Sequence, residues 1–364
     1  MGDYGKVVTG NTPPTKDIEN YENGTYLWAS PADLGTIKSI TETKTMLSAQ
    51  GFSKTRTLPK GSVLVTCIGS TIGKAGMATK EMSTNQQINS IVVNDNNDNE
   101  FVYYAIQSAF PRYLSSIAVQ AVPIISKSAF ELLPNNRPYL QEQKKIGRFL
   151  SMLDERIATQ NKIIEDLKKL KCAIVEKVYS KIQGKEYSFG QLFEVVNERN
   201  KQMSYSNILS ASQEKGMVNR NELNLDIQFE RSNINTYKIV RAGDYVIHLR
   251  SFQGGFAFSD KPGVCSPAYT ILRPSRLLEY GYLSYYFTSH RFIKSIIIVT
   301  YGIRDGRSIN VEEWLNMKVV IPSKAQQLHI LKVLKSIDDK IENDETYATC
   351  LANQKQYLLR QMFI

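Results

Sequence analysis

The chain of 364 residues is poor in the side chains that build metal and redox sites. It has three histidines and four cysteines, Cys67, Cys172, Cys265 and Cys350, with no CxxC pair among them. That scarcity argues against a zinc site or any other metal site, and isolated thiols fit a reducing compartment. Long apolar runs are absent too. The longest aliphatic stretches resemble Ile296 to Val299, far short of the roughly 20 residues that cross a bilayer. The N-terminal MGDYGKVVTG lacks the basic segment and apolar stretch of a secretory signal. The expectation is a cytoplasmic protein. Acidic residues are in deficit, 35 against 45 Lys plus Arg, for a net charge of +10. Such a surplus favours an acidic partner such as nucleic acid.

Catalytic signatures are missing as well. Gly69-Ser-Thr-Ile-Gly73-Lys74-Ala75 resembles a phosphate loop, yet three residues separate its glycines and alanine follows the lysine. A Walker A run needs four residues there, then Ser or Thr. Asn11-Thr-Pro-Pro14 lacks the aromatic with which an amino-methyltransferase stacks a flipped base, and reads as a turn. No Ser-His-Asp or Cys-His arrangement is present. The expectation is a non-catalytic chain that binds no cofactor itself.

What is present is a repeat. Pro138-Tyr-Leu-Gln-Glu-Gln143-Lys-Lys-Ile146 matches Pro322-Ser-Lys-Ala-Gln-Gln327-Leu-His-Ile330 at an offset of 184. Ser126 before Phe130 matches Asn310 before Trp314 at that same offset. Upstream, Leu58 to Val65 matches Val240 to Ile247 at 182, and Gly2 to Val8 resembles Gly190 to Val196 at 188. The chain is therefore two copies of one unit, each a mixed globular part followed by a helix.

The helices carry the clearest periodicity. Alternating steps of four and three collect Ile146, Leu150, Leu153, Ile157, Gln160, Ile164, Leu167, Lys171, Ile174 and Val178 in the first copy. In the second they collect Ile330, Leu334, Ile337, Ile341, Asp344, Ala348, Leu351, Lys355, Leu358 and Met362. The polar exceptions fall at equivalent places, and a 3.5-residue spacing held this long is a coiled-coil seam. Asp154, Glu155, Asp338 and Asp339 lie beside the seam and read as flank charges.

The globular parts read as β-rich with short helices, giving a mixed α/β (α+β) fold. FVYYAIQSAFPRYL and YGYLSYYFTSHRFIKSIII each read as one aromatic-rich helix, and Asn94 to Asn99 as a solvated polar loop. Four segments follow: a domain over 1–140, a helix over 141–184, a second domain over 185–324 and a closing helix over 325–364. Two helices separated by a whole domain satisfy one seam only by pairing antiparallel. The expected shape is a dumbbell with pseudo-twofold symmetry.

Between the copies the framework repeats while the loops diverge. The second copy places His248, Arg250, Ser251 and Gln253 at a strand end, followed by glycines, and later offers Arg304 and Arg307. The first copy has Thr66, Ser70, Thr71 and Lys74 in one loop, Asn85 and Gln86 as adenine-reading amides, and Gln120 where the second has Arg304. These residue types read base edges and phosphates. A non-catalytic coiled-coil scaffold whose end domains bind protein or carbohydrate is the alternative.

Over nearly its whole length the chain resembles the specificity subunit of type I restriction-modification systems. The proline-led helix starts at Pro138 and Pro322, the paired turns at Gly61 and Gly243, and the duplicated layout carry the resemblance. It departs at Gln326, where the family usually has Glu, and near Gly2, where a first strand common in such subunits is either missing or supplied otherwise. The resemblance implies two target recognition domains, each reading half of a split duplex target. It further implies no catalytic site, recruitment of two methyltransferase subunits and of restriction subunits, and S-adenosylmethionine, ATP and Mg bound by those partners.

Overall fold

The computed structural model describes residues 1–35, 37–116, 123–212, 215–222, 231–248, 255–301 and 308–363. The chain divides into two compact units, residues 1–161 with 346–364, and residues 162–345.

In the first unit, Gly5–Thr9, Ile88–Val93, Val63–Thr66, Ala75–Ala78 and Ser39–Ile40 lie side by side in that order. All pairs are antiparallel except the last. Val63, Val65, Ala75, Met77 and Ile91 point from this sheet into a core shared with Phe101, Tyr104 and Phe110 of helix Asn99–Ser116. A three-stranded sheet of Thr45–Leu47, Tyr26–Ala29 and Ser83–Thr84 adjoins it.

The second unit repeats the first four strands in equivalent order: Phe193–Val196, Thr270–Pro274, Tyr245–Ile247 and Phe256–Phe258. Its core is aromatic, with Phe189 stacked on Trp314 at 4.4 Å. Gly61 and Gly243 precede the equivalent central strands with φ of 86° and 97°, a conformation that nearly requires glycine. Ser126 and Asn310 each cap a short helix, accepting from Ala129 N and Glu313 N. Phe130 and Trp314, four residues on, are fully buried. The repeat read from sequence is thus a repeat of structure.

One reading fails. Helix Asn99–Ser116 is single, but its second-copy counterpart breaks into Tyr282–Phe287, His290–Ser295 and a 3-10 turn at Ile296–Val299. The Thr288 and Ser289 hydroxyls donate to the Tyr285 and Tyr286 carbonyls, and Ser289 Oγ accepts from Phe292 N. Hydroxyls that capture local backbone groups stop a helix that hydropathy alone would continue.

The long helices run Leu140–Lys181 and Lys324–Met362. All twelve apolar seam residues Ile146, Leu150, Leu153, Ile157, Ile164, Leu167, Ile330, Leu334, Ile337, Ile341, Leu351 and Leu358 are buried or half-buried. Within the first unit Asp154 meets Lys355 and Arg156 meets Tyr347. Within the second, Lys168 meets Glu345 and Lys171 meets Asp338. In both, one number rises as the other falls, so the helices pair antiparallel.

Two devices fix each helix to its domain; in both, the helix residues recur at an offset of 184 and the domain partners Asp98 and Glu279, Tyr104 and Tyr285 at 181. Gln143 is buried; its amide donates to Asn97 Oδ1 and the Pro138 carbonyl and accepts from Asp98 N. Gln327, equally buried, donates to the Leu277 and Pro322 carbonyls and accepts from Glu279 N. The Asn94–Asn99 segment is the expected solvated connection only in part: Asn94 to Asn96 are exposed, whereas Asn97 is buried and also donates to the Asp3 and Tyr4 carbonyls. At Gln326 the cap is intact: Ser323 Oγ accepts from Gln326 N while Gln326 Oε1 accepts from Ser323 N, a reciprocal capping box.

The second device extends the flank-charge reading of Asp154 and Asp338. Asp154 binds Lys355 at 2.5 Å and accepts from Tyr104 OH at 2.6 Å, with the Lys355 ammonium 5.5 Å from that ring. Asp338 binds Lys171 at 2.5 Å and accepts from Tyr285 OH at 2.7 Å, with Lys171 5.2 Å from the ring. The polar seam lysines thus form a Lys-Asp-Tyr triad in each unit, with the two helices exchanging roles. Burial, then the bond to the carboxylate, holds each tyrosine pKa above its ordinary value.

Candidate nucleic-acid interface

In the first unit the central strand Val63–Thr66 runs into a loop ending at Lys74. The loop closes on itself through Thr66 N to Lys74 O at 2.9 Å and Gly73 N to Thr66 O at 3.0 Å. It is tied to neighbours by Cys67 N to Gln87 O, Gly69 N to Pro123 O and Ile125 N to Cys67 O. Gly69 and Gly73 have φ of 93° and 91°. A Cβ on Gly73 would also lie 2.9 Å from Phe110, whereas one on Gly69 would meet open space. Backbone conformation and packing therefore account for the glycines that imitate a phosphate loop.

The second strand end brings Asn85 and Gln86 alongside. Asn85 is buried and braces its own turn, accepting from Gln87 N at 3.0 Å and donating to Gln87 Oε1 at 3.1 Å. Thr66 is also fully buried. These two position the loops, while Ser70, Lys74 and Gln86 are exposed and Thr71 half-buried. Cys67 at the loop base is inert, since burial pushes its thiol up to about 12.

Sequence reasoning passed over part of this surface. Asn11 N donates to Thr84 O, the Asn11 side chain joins Lys54 O to Arg56 N, and Trp28 Nε1 donates to Asn11 O. Thr12 Oγ1 donates to Gln86 Oε1, and the exposed Arg56 donates to Thr9 O at 2.8 Å. The signal was Asn11-Thr-Pro-Pro14, weighed against a methyltransferase motif and read as a turn.

In the second unit His248 stands where the first has Thr66, at an offset of 182. It is half-buried, its backbone N donates to Gly255 O at 2.8 Å, and its ring lies 6.1 Å from Tyr269. Burial lowers the imidazole pKa below 6.5. Arg250, Ser251 and Gln253, between His248 and Gly255, lie outside the described residues, as do Gln120, Arg304 and Arg307. The stem flanking the last two is described: Thr300–Tyr301 pairs antiparallel with Ser308–Ile309.

Among the described residues no group of His, Cys, Asp and Glu is arranged to hold a metal ion, and no helix is long and apolar enough to cross a membrane.

Comparison with known proteins matches this architecture. The MjaIX specificity subunit of a type I restriction enzyme from Methanocaldococcus jannaschii is 30% identical over 174 residues, 46% of this chain and 40% of that protein. The HindI specificity subunit from Haemophilus influenzae is 28% identical over 180 residues, 47% and 38% respectively. The chain thus spans about two fifths of these relatives. The M. jannaschii MjaVIII specificity subunit is 26% identical over 305 residues, 74% of this chain and 69% of that one. A solved chain from a study of complex assembly in a type I R-M system shares the fold with a TM-score of 0.61, at 15% identity over 98% of this chain and 95% of its own. The S subunit of a type I system from M. genitalium aligns with a TM-score of 0.56, at 15% identity over 99% and 93%. The family described as type I restriction modification DNA specificity domain matches twice, over residues 1–169 and 183–348, and the chain belongs to that family.

Proposed function

We propose that the chain is the DNA-recognition subunit of a type I restriction-modification complex, with each unit reading one half of a bipartite duplex target. The observation that carries this reading is the pair of equivalent strand ends, Thr66 and His248, from which loops of unlike composition leave a repeated framework. Ser70, Thr71, Lys74 and Gln86 serve the first half-site, and His248, Arg250, Ser251, Gln253, Arg304 and Arg307 the second, with Gln120 a further contact of the first. Family membership favours this reading over a scaffold for protein or carbohydrate partners.

The chain carries no catalytic centre of its own in this reading. It acts in a cytoplasmic complex by recruiting methyltransferase subunits, which bring S-adenosylmethionine, and restriction subunits, which bring ATP and Mg. Two methyltransferase copies dock, because both units expose apolar side chains beside the seam. The first unit offers Phe149 and Tyr347; the second offers Val333 and Ile163, at an offset of 184 from them in each case. The first long helix has 42 residues, about 60 Å at roughly 1.5 Å per residue. The gap between half-sites follows that length, so one heptad added to both helices widens it by about three base pairs. The test is binding of the assembled complex to a bipartite duplex across a salt series. A steep decline of affinity with salt supports phosphate contact, and salt-independent binding contradicts it.

A further inference from the structure

The offsets of 182 and 188 that relate the central and first strands of the two units also bring Arg56 onto Lys238 and Asn11 onto Arg199. The fold confirms the match, because two residues further on Leu58 bridges to Met82 as Val240 pairs with Gly263, antiparallel in both. Each cation lies against the end of its first strand. Arg56 N donates to Asn11 Oδ1 at 2.8 Å, and Lys238 forms an antiparallel bridge with Arg199.

The charged ends are held alike as well. Arg56 Nη1 donates to Thr9 O at 2.8 Å, and Lys238 Nζ donates to Tyr269 O at 2.8 Å. Both carbonyls adjoin candidate readers: Thr9 lies just ahead of Thr12, whose hydroxyl holds Gln86, and the Tyr269 ring is 6.1 Å from that of His248. Among the described residues no carboxylate pairs with Arg56, Lys238 or Arg199. Glu198, next to Arg199 in sequence, pairs instead with Arg241 at 2.9 Å. Like charges opposite one another destabilise a strand pair, so Arg199 and Lys238 stand together at a cost that a bound anion removes.

We propose that Arg56 in the first unit, and Lys238 with Arg199 in the second, are phosphate anchors that grip the duplex backbone at the same place in each unit. The inference rests on the reading of the chain as a DNA-recognition subunit and divides the labour within it. Around these cations the loops diverge, whereas a positive charge recurs. The part of a duplex that does not change with sequence is its sugar-phosphate backbone, and phosphate contacts fix register while base contacts specify. Arg56 is exposed and held at both its backbone and its guanidinium, so little freedom is lost when it meets a phosphate oxygen.

The experiment uses the assembled complex, a duplex carrying the target that the methylome gives, and two duplexes with one half-site scrambled, each titrated from roughly 50 to 200 mM salt. Arg56→Gln, Lys238→Gln and Arg199→Gln should each reduce the slope of log affinity against log salt by about 0.9, which is roughly eightfold in affinity at 0.1 M. The loss should be equal on all three duplexes, leaving their affinity ratios unchanged. Arg56→Lys and Lys238→Arg should keep the slope, a rescue by charge that a role in bracing the loops would not give. Lys318→Gln, which removes a cation paired with Glu186 at 3.1 Å, should also keep it. An unchanged slope in the three Gln variants overturns the proposal, including where inorganic phosphate is found to bind there instead. Altered affinity ratios overturn it too, since they mark base readers or loop braces. If the native complex binds its target with a steep slope and the variants match it, the anchors alone fail; if the native complex shows neither salt dependence nor preference for its target, the DNA-recognition reading fails with them.

Discussion

Gln143 and Gln327 sit 184 residues apart, are both buried, and each donates to its helix-start proline carbonyl and to an oxygen of the segment opposite while accepting from a backbone N–H there. Thr66 and His248, at equivalent ends of equivalent strands, share neither size nor surroundings. The contrast teaches where the duplicated unit is constrained. The helix residues that join helix to domain repeat in identity, and groups at the strand ends differ. The triads show a graded case. Lys-Asp-Tyr recurs in both units, but only the first adds Lys38, whose ammonium lies 5.5 Å from the Tyr104 ring and bonds Glu100 and Ser151 at 2.8 Å.

The largest effect is expected from the shared glutamines. Gln143→Ala or Gln327→Ala strands buried backbone groups, so each should lower stability by about 2–3 kcal/mol, read from urea unfolding of the full chain. The two losses should agree within about 1 kcal/mol. A loss confined to one variant breaks the equivalence.

Half-site contacts should come next and show the opposite pattern. Lys74→Ala or Gln86→Ala should cost about 1–3 kcal/mol of DNA affinity if they read bases, relaxing one half-site only. Arg304→Ala or Arg307→Ala should relax only the other. Equal weakening on every sequence would mark them as phosphate contacts, and stability should barely change in any of the four.

The triads sharpen the comparison further. Asp338→Ala should cost about 1–2 kcal/mol by leaving Lys171 half-buried without its carboxylate. Asp154→Ala should cost more, because it leaves two ammonium groups, Lys38 and Lys355, against one ring. Denaturation of each variant and of a Lys38→Met, Asp154→Ala double variant measures this. Relief by Lys38→Met is expected, and an unchanged loss argues against like-charge repulsion.

The seam and the repeat were legible from sequence because both are local: a 3.5-residue period and a constant offset need no knowledge of distant contacts. The tyrosine partners of Asp154 and Asp338 were missed for the complementary reason. Their tyrosines, Tyr104 and Tyr285, come from helices about 50 residues upstream, and a heptad count sees only its own helix. The break at Thr288 and Ser289 escaped hydropathy because hydroxyl capture of backbone carbonyls is invisible to it. Thr66 and Asn85 were read as base-reading residues and are buried, because burial at a loop base cannot be told from exposure at its tip by residue type. Gln143 and Gln327 were seen as a motif but not as a lock, since their partners at Asn97, Asp98, Leu277 and Glu279 lie about 50 residues away.

The smallest effect concerns pH and belongs to the second unit. Burial keeps the His248 pKa below its unfolded value, so the folded state resists protonation there. Stability should be full above about pH 6.5 and decline as pH falls below it, through the folded pKa. His248→Gln should flatten that part of the urea-midpoint profile between pH 7.5 and 5. The first unit, with threonine at the equivalent place, should gain nothing from any such change.

The central claim is that one framework carries two independent readers. Its most direct test is the methylome of cells expressing the complete system, with the native chain and with a chain in which residues 249–254 and 302–307 are exchanged for those of a related subunit. The account predicts a bipartite target in which one half-site changes while the other half-site and the gap stay as they were. A change in both halves together, or a target without two separable halves, would contradict it.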